Sequence, residues 1–148
     1  FIGGWLEDIG IEIAFTTLAV VIAQIFIAAP FYVRSASLGF AAVDVEIEQA
    51  ARIDGANRWQ IFKFLIVPLS RSAIISGIMM SWARALGEFG ATIMFAGNLP
   101  GRTQTMPTAI YLGFESDLES ALTLSVILVL ISFVSLLAIK LLVSHEKD

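Results

Sequence analysis

Arg84 and Glu88, in the segment RALGEFG, are the only charged residues in positions 72–100. Two chemistries fit a pair of this type and spacing. Four residues apart on a helix, guanidinium and carboxylate can meet and offset each other's desolvation, whereas a lone charge at a bilayer centre costs about 2.5–3.5 kcal/mol even on a lenient scale. Alternatively the pair lines an aqueous path: Arg84 attracts a dianion and Glu88 moderates that attraction so the ion leaves again, because conduction needs weak, transient binding. Gly87 and Gly90 remove side chains beside the pair and leave room for backbone or ligand. Ala73, Gly77, Ser81, Arg84 and Glu88 recur at intervals of three and four, along one helical face whose lower part is small and whose upper part is charged. Enzyme chemistry has little to build on. The absence of cysteine excludes disulfides and thiolate metal sites, the single His145 cannot form a cluster, and there is neither a G-x-x-x-x-G-K-[ST] phosphate loop nor a nucleophile–base constellation.

The elements that would position these residues are membrane helices. Hydrophobic residues make up 57% and charged residues 15% of the chain, with a mean hydropathy of +0.85. A soluble domain is about 45–50% apolar and about 25% charged. Residues 13–33 and 120–139 hold no Asp, Glu, Lys, Arg or His, and each reaches the roughly 20 residues that cross a bilayer. Residues 72–96 have similar length and character, interrupted by the Arg84/Glu88 pair. The reading is an all-α membrane protein with three spans, about 11–33, 69–96 and 118–143.

Charge placement orients them. Arg34, Arg52, Arg58, Lys63 and Arg71 lie between the first and second spans, and Lys140 and Lys147 close the chain. Arg102 alone joins Glu7, Asp8, Glu12, Glu115, Asp117 and Glu119 on the other side. The positive-inside rule makes residues 34–71 and the C-terminus cytoplasmic and residues 1–12 and 97–117 external. With Phe1 outside and no initiator Met or cleavable signal pattern, the most economical expectation is that an odd number of earlier spans precedes this sequence, the alternative being a three-span protein. Within the first span, Pro30 is expected to kink or end the helix, Tyr32 and Arg34 to anchor it at the inner face, and Gln24 either to bond another helix or to line a path.

The cytoplasmic loop, 34–68, is patterned. Asp44 is a candidate N-cap for a helix running to about Ile53 with Ile47, Ala50 and Ala51 on one face. Gly55 suits the left-handed turn that follows, and Asn57 with Gln60 can cap a second helix carrying Trp59, Phe62 and Ile66 on one face. Pro68 fits the first turn of the next span. An amphipathic helix placed here would lie in the membrane interface or dock into a groove on a soluble partner.

Residues 49–68, QAARIDGANRWQIFKFLIVP, resemble the EAA loop of binding-protein-dependent ABC-transporter permeases: E-A-A, three residues, G, nine residues, I, one residue, L-P. Ala50, Ala51, Gly55 and Pro68 match at the family's spacings; Leu65 and Val67 replace Ile and Leu, and Gln49 stands where the motif has Glu, with Glu48 before it. The resemblance implies a type I ABC-importer permease fold larger than these three spans. It also implies a coupling helix, Glu48 to Ala51 with Gly55, Trp59 and Phe62, inserted into a cytoplasmic ATPase subunit, with Trp59 and Phe62 as anchors. ATP and magnesium would be handled by that ATPase, with no cofactor on this chain. Further partners implied are a second permease subunit forming a homodimer, an external substrate-binding protein and membrane lipid, in a prokaryotic plasma membrane; no nucleic acid is expected.

Residues 83–113, ARALGEFGATIMFAGNLPGRTQTMPTAIYLG, resemble oxyanion importers, and the molybdate/tungstate branch more than the sulfate branch through Phe89 and the run from Gly101 to Thr105 with Pro107. This resemblance implies that Ser81, Arg84, Gly87 and Glu88 lie on the translocation path. The 97–113 segment is an ordinary turn or the external mouth where a binding protein docks, with Asn98 and Arg102 facing it. Thr123, Ser125, Ser132 and Ser135 are candidates for bonds between helices. The competing classes are a sulfate/thiosulfate permease, a membrane scaffold that docks a cytoplasmic partner without transport, and a membrane enzyme built on the Arg/Glu pair.

Overall fold

The computed structural model describes residues 14–144. The expected external segment 1–12, the start of the first span, His145 and Lys147 lie outside the described residues. The helices are α1 (Thr17–Ala41), α2 (Val45–Ile53), α3 (Arg58–Leu69), α4 (Arg71–Leu86), α5 (Gly90–Ala96), α6 (Met106–Ser116) and α7 (Leu118–Ser144). Two stretches, Thr17–Ala41 and Leu118–Leu141, are long and apolar enough to cross a membrane, and α3 and α4, bent by 69°, reach that length and apolarity only when counted together.

Thr16 caps α1 by accepting the Ala19 N–H at 3.3 Å, and the helix continues through Pro30 to Ala41. The expected end at Pro30 is therefore corrected, and residues 34–41, assigned to the loop, are helical. Proline removes one N–H, but a backbone in hydrocarbon has no water to turn to, so the helix that satisfies the remaining groups persists. Contacts with α4 hold both sides of the proline. Ser81 Oγ donates to the Ala28 carbonyl (2.9 Å), Ser35 Oγ to that of Ala73 (2.8 Å) and Ser70 Oγ to that of Gly39 (2.9 Å). These antiparallel pairings make the α1–α4 seam the most extensive packing in the fold. Small residues allow it: a Cβ on Gly39 would stand 2.3 Å from the Ala73 Cβ, and one on Gly77 3.0 Å from that of Ser35. Removing the Ser81 hydroxyl (Ser81→Ala) should cost about 0.6–1 kcal/mol, the usual worth of a membrane interhelical bond. Thermal unfolding in detergent would register a small drop while transport persists.

Two expectations about the middle of the chain are corrected. Pro68 does not open the second span; it lies in α3, before the bend at Ser70. Without a proline N–H the Phe64 carbonyl cannot be paired in the α-helical way, and a wide turn over Phe62–Ile66, closed by the Val67 N–H on the Phe62 carbonyl, absorbs the mismatch. The 69–96 stretch is not one helix either. It stops at Leu86, with Gly87 as its C-cap, and restarts as α5.

α6 and α7 form a tight hairpin at Asp117, where Gly113 gives α7 room: a Cβ on it would lie 2.9 Å from that of Ala121. The Ser120 hydroxyl and then its N–H donate to the Asp117 carboxylate, which holds that carboxyl below its ordinary value and keeps it charged at the start of α7. The hydroxyls of Thr123, Ser125, Ser132 and Ser135, expected to reach other helices, close instead on the carbonyls of Glu119, Ala121, Leu128 and Ile131 of their own helix. In a helix that is apolar all round, such back-bonding is how a hydroxyl is satisfied without a polar neighbour.

Candidate functional site

Local chemistry builds the loop between α1 and α4. Asp44 accepts the Glu46 N–H at 2.9 Å to start α2, and Glu48 pairs with Arg52 one turn on. Ala56 N–H returns to the Ala51 carbonyl (3.0 Å) and Gly55 N–H to that of Arg52 (3.1 Å), a closure that needs Gly55 at φ +87°. Asn57 and Gln60 exchange reciprocal bonds of 2.9 Å and launch α3. Ala at position 55 would put a side chain in left-handed backbone, at about 1–2 kcal/mol. Gly55→Ala is therefore expected to loosen the α2–α3 turn, read as faster amide exchange over residues 45–62.

α2 buries none of its residues, and Gln49 and Ala50 are exposed. Ala51, Gly55, Gln60, Ile61 and Phe64 line an open groove between α2 and α3. The two expected anchors separate. Trp59 is 68% exposed, whereas Phe62, at 38%, stands edge-on against Phe40 at the end of α1 with ring centroids 5.9 Å apart. Phe40 was not foreseen; its pairing with Phe62 depends on the bend at Ser70, which no local spacing announces.

The charged site lies at the other end of α4, about 24 Å away along its sixteen residues. Arg84, in the last turn, meets Glu88 at 2.8 Å; the Arg84 side chain is 38% exposed and that of Glu88 4%. The second Glu88 oxygen accepts the Ala91 N–H of α5 at 2.8 Å. One carboxylate thus spans the break, its charge met by a guanidinium and its remaining oxygen by a backbone donor. A Cβ on Gly87 would meet nothing within 4 Å, and one on Gly90 would come 4.0 Å from Glu88 Oε1. Phe89, inside the break, contacts Tyr111 of α6 at 5.0 Å between ring centroids. Ser81 does not join this group: its hydroxyl is committed to α1.

Beyond α5 the chain makes a built turn. The Leu99 carbonyl accepts N–H groups from Arg102 (3.0 Å), Thr103 (2.9 Å) and Gln104 (3.1 Å), the buried Thr103 hydroxyl accepts the Leu99 N–H (3.0 Å), and the Arg102 carbonyl takes the Thr17 hydroxyl (3.1 Å). Arg102 itself is exposed. Asn98 donates to the Thr108 carbonyl at 3.4 Å, and its Oδ1, like the Thr92 hydroxyl, is buried without a partner. Among the described residues no group of acidic or histidine side chains is arranged to hold a metal.

Apolar spans, a free amphipathic helix pair at one end and a charged helix break at the other define an all-helical membrane protein. The chain belongs to the family of binding-protein-dependent transport system inner membrane components, which it matches over residues 7–147. It is 46% identical, over 98% of its length and 65% of the relative's, to the putative molybdenum transport system permease protein YvgM of Bacillus subtilis. It is 43% identical to the molybdenum transport system permease protein ModB of Escherichia coli, over 89% of this chain and 60% of that one. A probable sulfate transport system permease protein, cysT of Chlorokybus atmophyticus, is 34% identical over 97% of this chain and 51% of its own. The chain thus spans about half to two thirds of the length of these relatives.

Proposed function

We propose that this chain is the membrane-translocating part of an importer for molybdate or tungstate, driven by ATP hydrolysis on a separate ATPase subunit and supplied by an external substrate-binding protein. The observation that carries this reading is its greater identity to molybdenum permeases than to the sulfate permease, over nearly the whole chain. The permease works as a homodimer embedded in lipid in a prokaryotic plasma membrane, with residues 34–71 and the C-terminus in the cytoplasm.

The coupling segment is α2, Gly55 and α3. Glu48 is committed to Arg52 and stiffens α2, Gln49, Ala50 and Ala51 offer a small, uncharged surface, and Trp59 projects for the ATPase cleft. The pathway segment is the break after α4. From Arg71 at the inner face, α4 rises about 24 Å, short of the roughly 30 Å hydrocarbon thickness. Non-helical backbone at that depth is tolerated only where protein covers it or water reaches it. Arg84, more than a third exposed beside a buried partner carboxylate, supplies a cation whose pull on a dianion is tempered. Asn98 and Arg102 form the external mouth.

The test is uptake into proteoliposomes holding the full-length permease, its ATPase and its binding protein. Molybdate and tungstate are expected to be taken up in preference to sulfate. Preferential sulfate uptake would instead establish the sulfate/thiosulfate reading, and ATPase binding without uptake of any oxyanion would establish a scaffold.

A further inference from the structure

We propose that Glu88 is a positioning residue that latches α4 to α5, and that an oxyanion arriving at Arg84 releases the latch. The inference rests on the reading that Arg84 meets the transported anion. Its own basis is the two-sided grip of one buried carboxylate: Oε2 on the Arg84 guanidinium of α4 and Oε1 on the Ala91 N–H of α5, each at 2.8 Å. No other hydrogen bond described here joins the side chains of α4 to α5. The backbone between them includes Gly87, around which a side chain's worth of space is empty, and ends at Gly90. The angle between the two helices is therefore held by that carboxylate together with the packing of both helices on α1, where Ala96 of α5 is buried with Ala19 and Val20.

Exposure decides the order of events. The Arg84 side chain is 38% exposed while that of Glu88 is almost fully covered, so an arriving anion meets Arg84 before Glu88. Arginine has five N–H donors, and a dianion that takes those facing Glu88 also repels the carboxylate. Glu88 keeps the Ala91 N–H, so it is not stranded; it stays with α5 and parts from α4. Phe89 moves with it and carries the displacement through Tyr111 to α6, beside the external turn. Substrate arrival is thereby converted into a change of helix angle at the outer end of α4.

Glu88→Gln separates the two grips, because the amide oxygen still accepts from Ala91 while the ion pair is lost. The chain holds no cysteine, so Ile78→Cys on α4 and Met94→Cys on α5 place one nitroxide pair across the break. Distances are read by electron double resonance in the full-length permease–ATPase complex in lipid nanodiscs, with labelled subunits diluted so that pairs within one subunit dominate. Expected are a narrow distribution in the parent, a displacement of several ångströms with saturating molybdate but not chloride, and a displaced distribution in Glu88→Gln that molybdate no longer changes. Arg84→Met, which frees the carboxylate from the other side, should be displaced as well, and Arg84→Lys should keep the parent distribution. Parent-like distances in Glu88→Gln would overturn the latch. Molybdate uptake by Arg84→Met, measured alongside, separates the two readings. Retained uptake overturns Arg84 as the anion contact, and with it the anion's part in release. Lost uptake together with a parent probe that ignores molybdate overturns the latch alone.

Discussion

Arg84→Met is expected to lower molybdate uptake by about 10- to 100-fold, the equivalent of the roughly 1.5–3 kcal/mol that a hydrogen bond to a charged group contributes. The substitution has a second consequence, since it leaves the Glu88 carboxylate, 4% exposed, with only the Ala91 N–H. Removing one partner of a buried pair costs about 3–5 kcal/mol because the other charge remains. The partial exposure of Arg84 places this case toward the lower end. A fall in uptake could therefore come from lost assembly. Arg84→Met combined with Glu88→Gln resolves this, since the neutral amide still caps α5 and no charge is stranded. The double variant should recover the yield and thermal stability of the complex but not its uptake. If uptake returns together with stability, the pair is a packing device and the anion passes elsewhere. Arg84→Lys keeps the charge but not the planar fork, so it should assemble normally and transport at an intermediate rate.

Much of this arrangement can be read from local rules, and the parts that cannot share a physical cause. Asp44, Gly55, Asn57 and Gln60 act on backbone groups within a few residues, so their types and spacing were enough to place α2, the turn and the start of α3. The Arg84–Glu88 pairing likewise follows from a spacing of four. The helix does not end at Pro30 and the span does not open at Pro68, because the outcome at a proline depends on what packs against it: the α4 seam in one case, and a wide turn before the Ser70 bend in the other. Ser81 was placed on the correct face of α4, but composition does not say that this face meets α1. The break at 87–89 escaped detection because hydropathy measures transfer cost and is blind to where the backbone ladder is interrupted. Its signal, a glycine one residue before an acid that can cap the next helix, is visible once the break is known. The identity of the family was legible through the EAA-like spacing of Ala50, Ala51, Gly55 and Pro68, and the match over residues 7–147 bears it out.

The two loop aromatics, equivalent in the sequence pattern, should fail in different ways. Trp59 is largely exposed, with its ring tilted 30° to that of Phe62 at 5.8 Å between centroids, so in the proposed complex its partner is the ATPase. Trp59→Ala should weaken ATPase binding by about 30-fold, since truncating an aromatic anchor at an interface centre costs roughly 2 kcal/mol or more. Phe62, partly exposed, stands edge-on against Phe40, near the Ser70 hydroxyl bond to Gly39 at the bend between α3 and α4. In the proposed complex a push on α2 and α3 would thus arrive at two membrane helices together: at α4 through the bend and at α1 through the Phe62–Phe40 contact. Phe62→Ala removes the second route and leaves the first. The expected result is near-normal ATPase binding, with ATP hydrolysis continuing while molybdate transported per ATP falls several-fold. Measuring hydrolysis and uptake in the same vesicles checks it: equal losses in both, or loss of binding in both variants, would mean that the two aromatics act as one anchor and that α1 receives no separate drive.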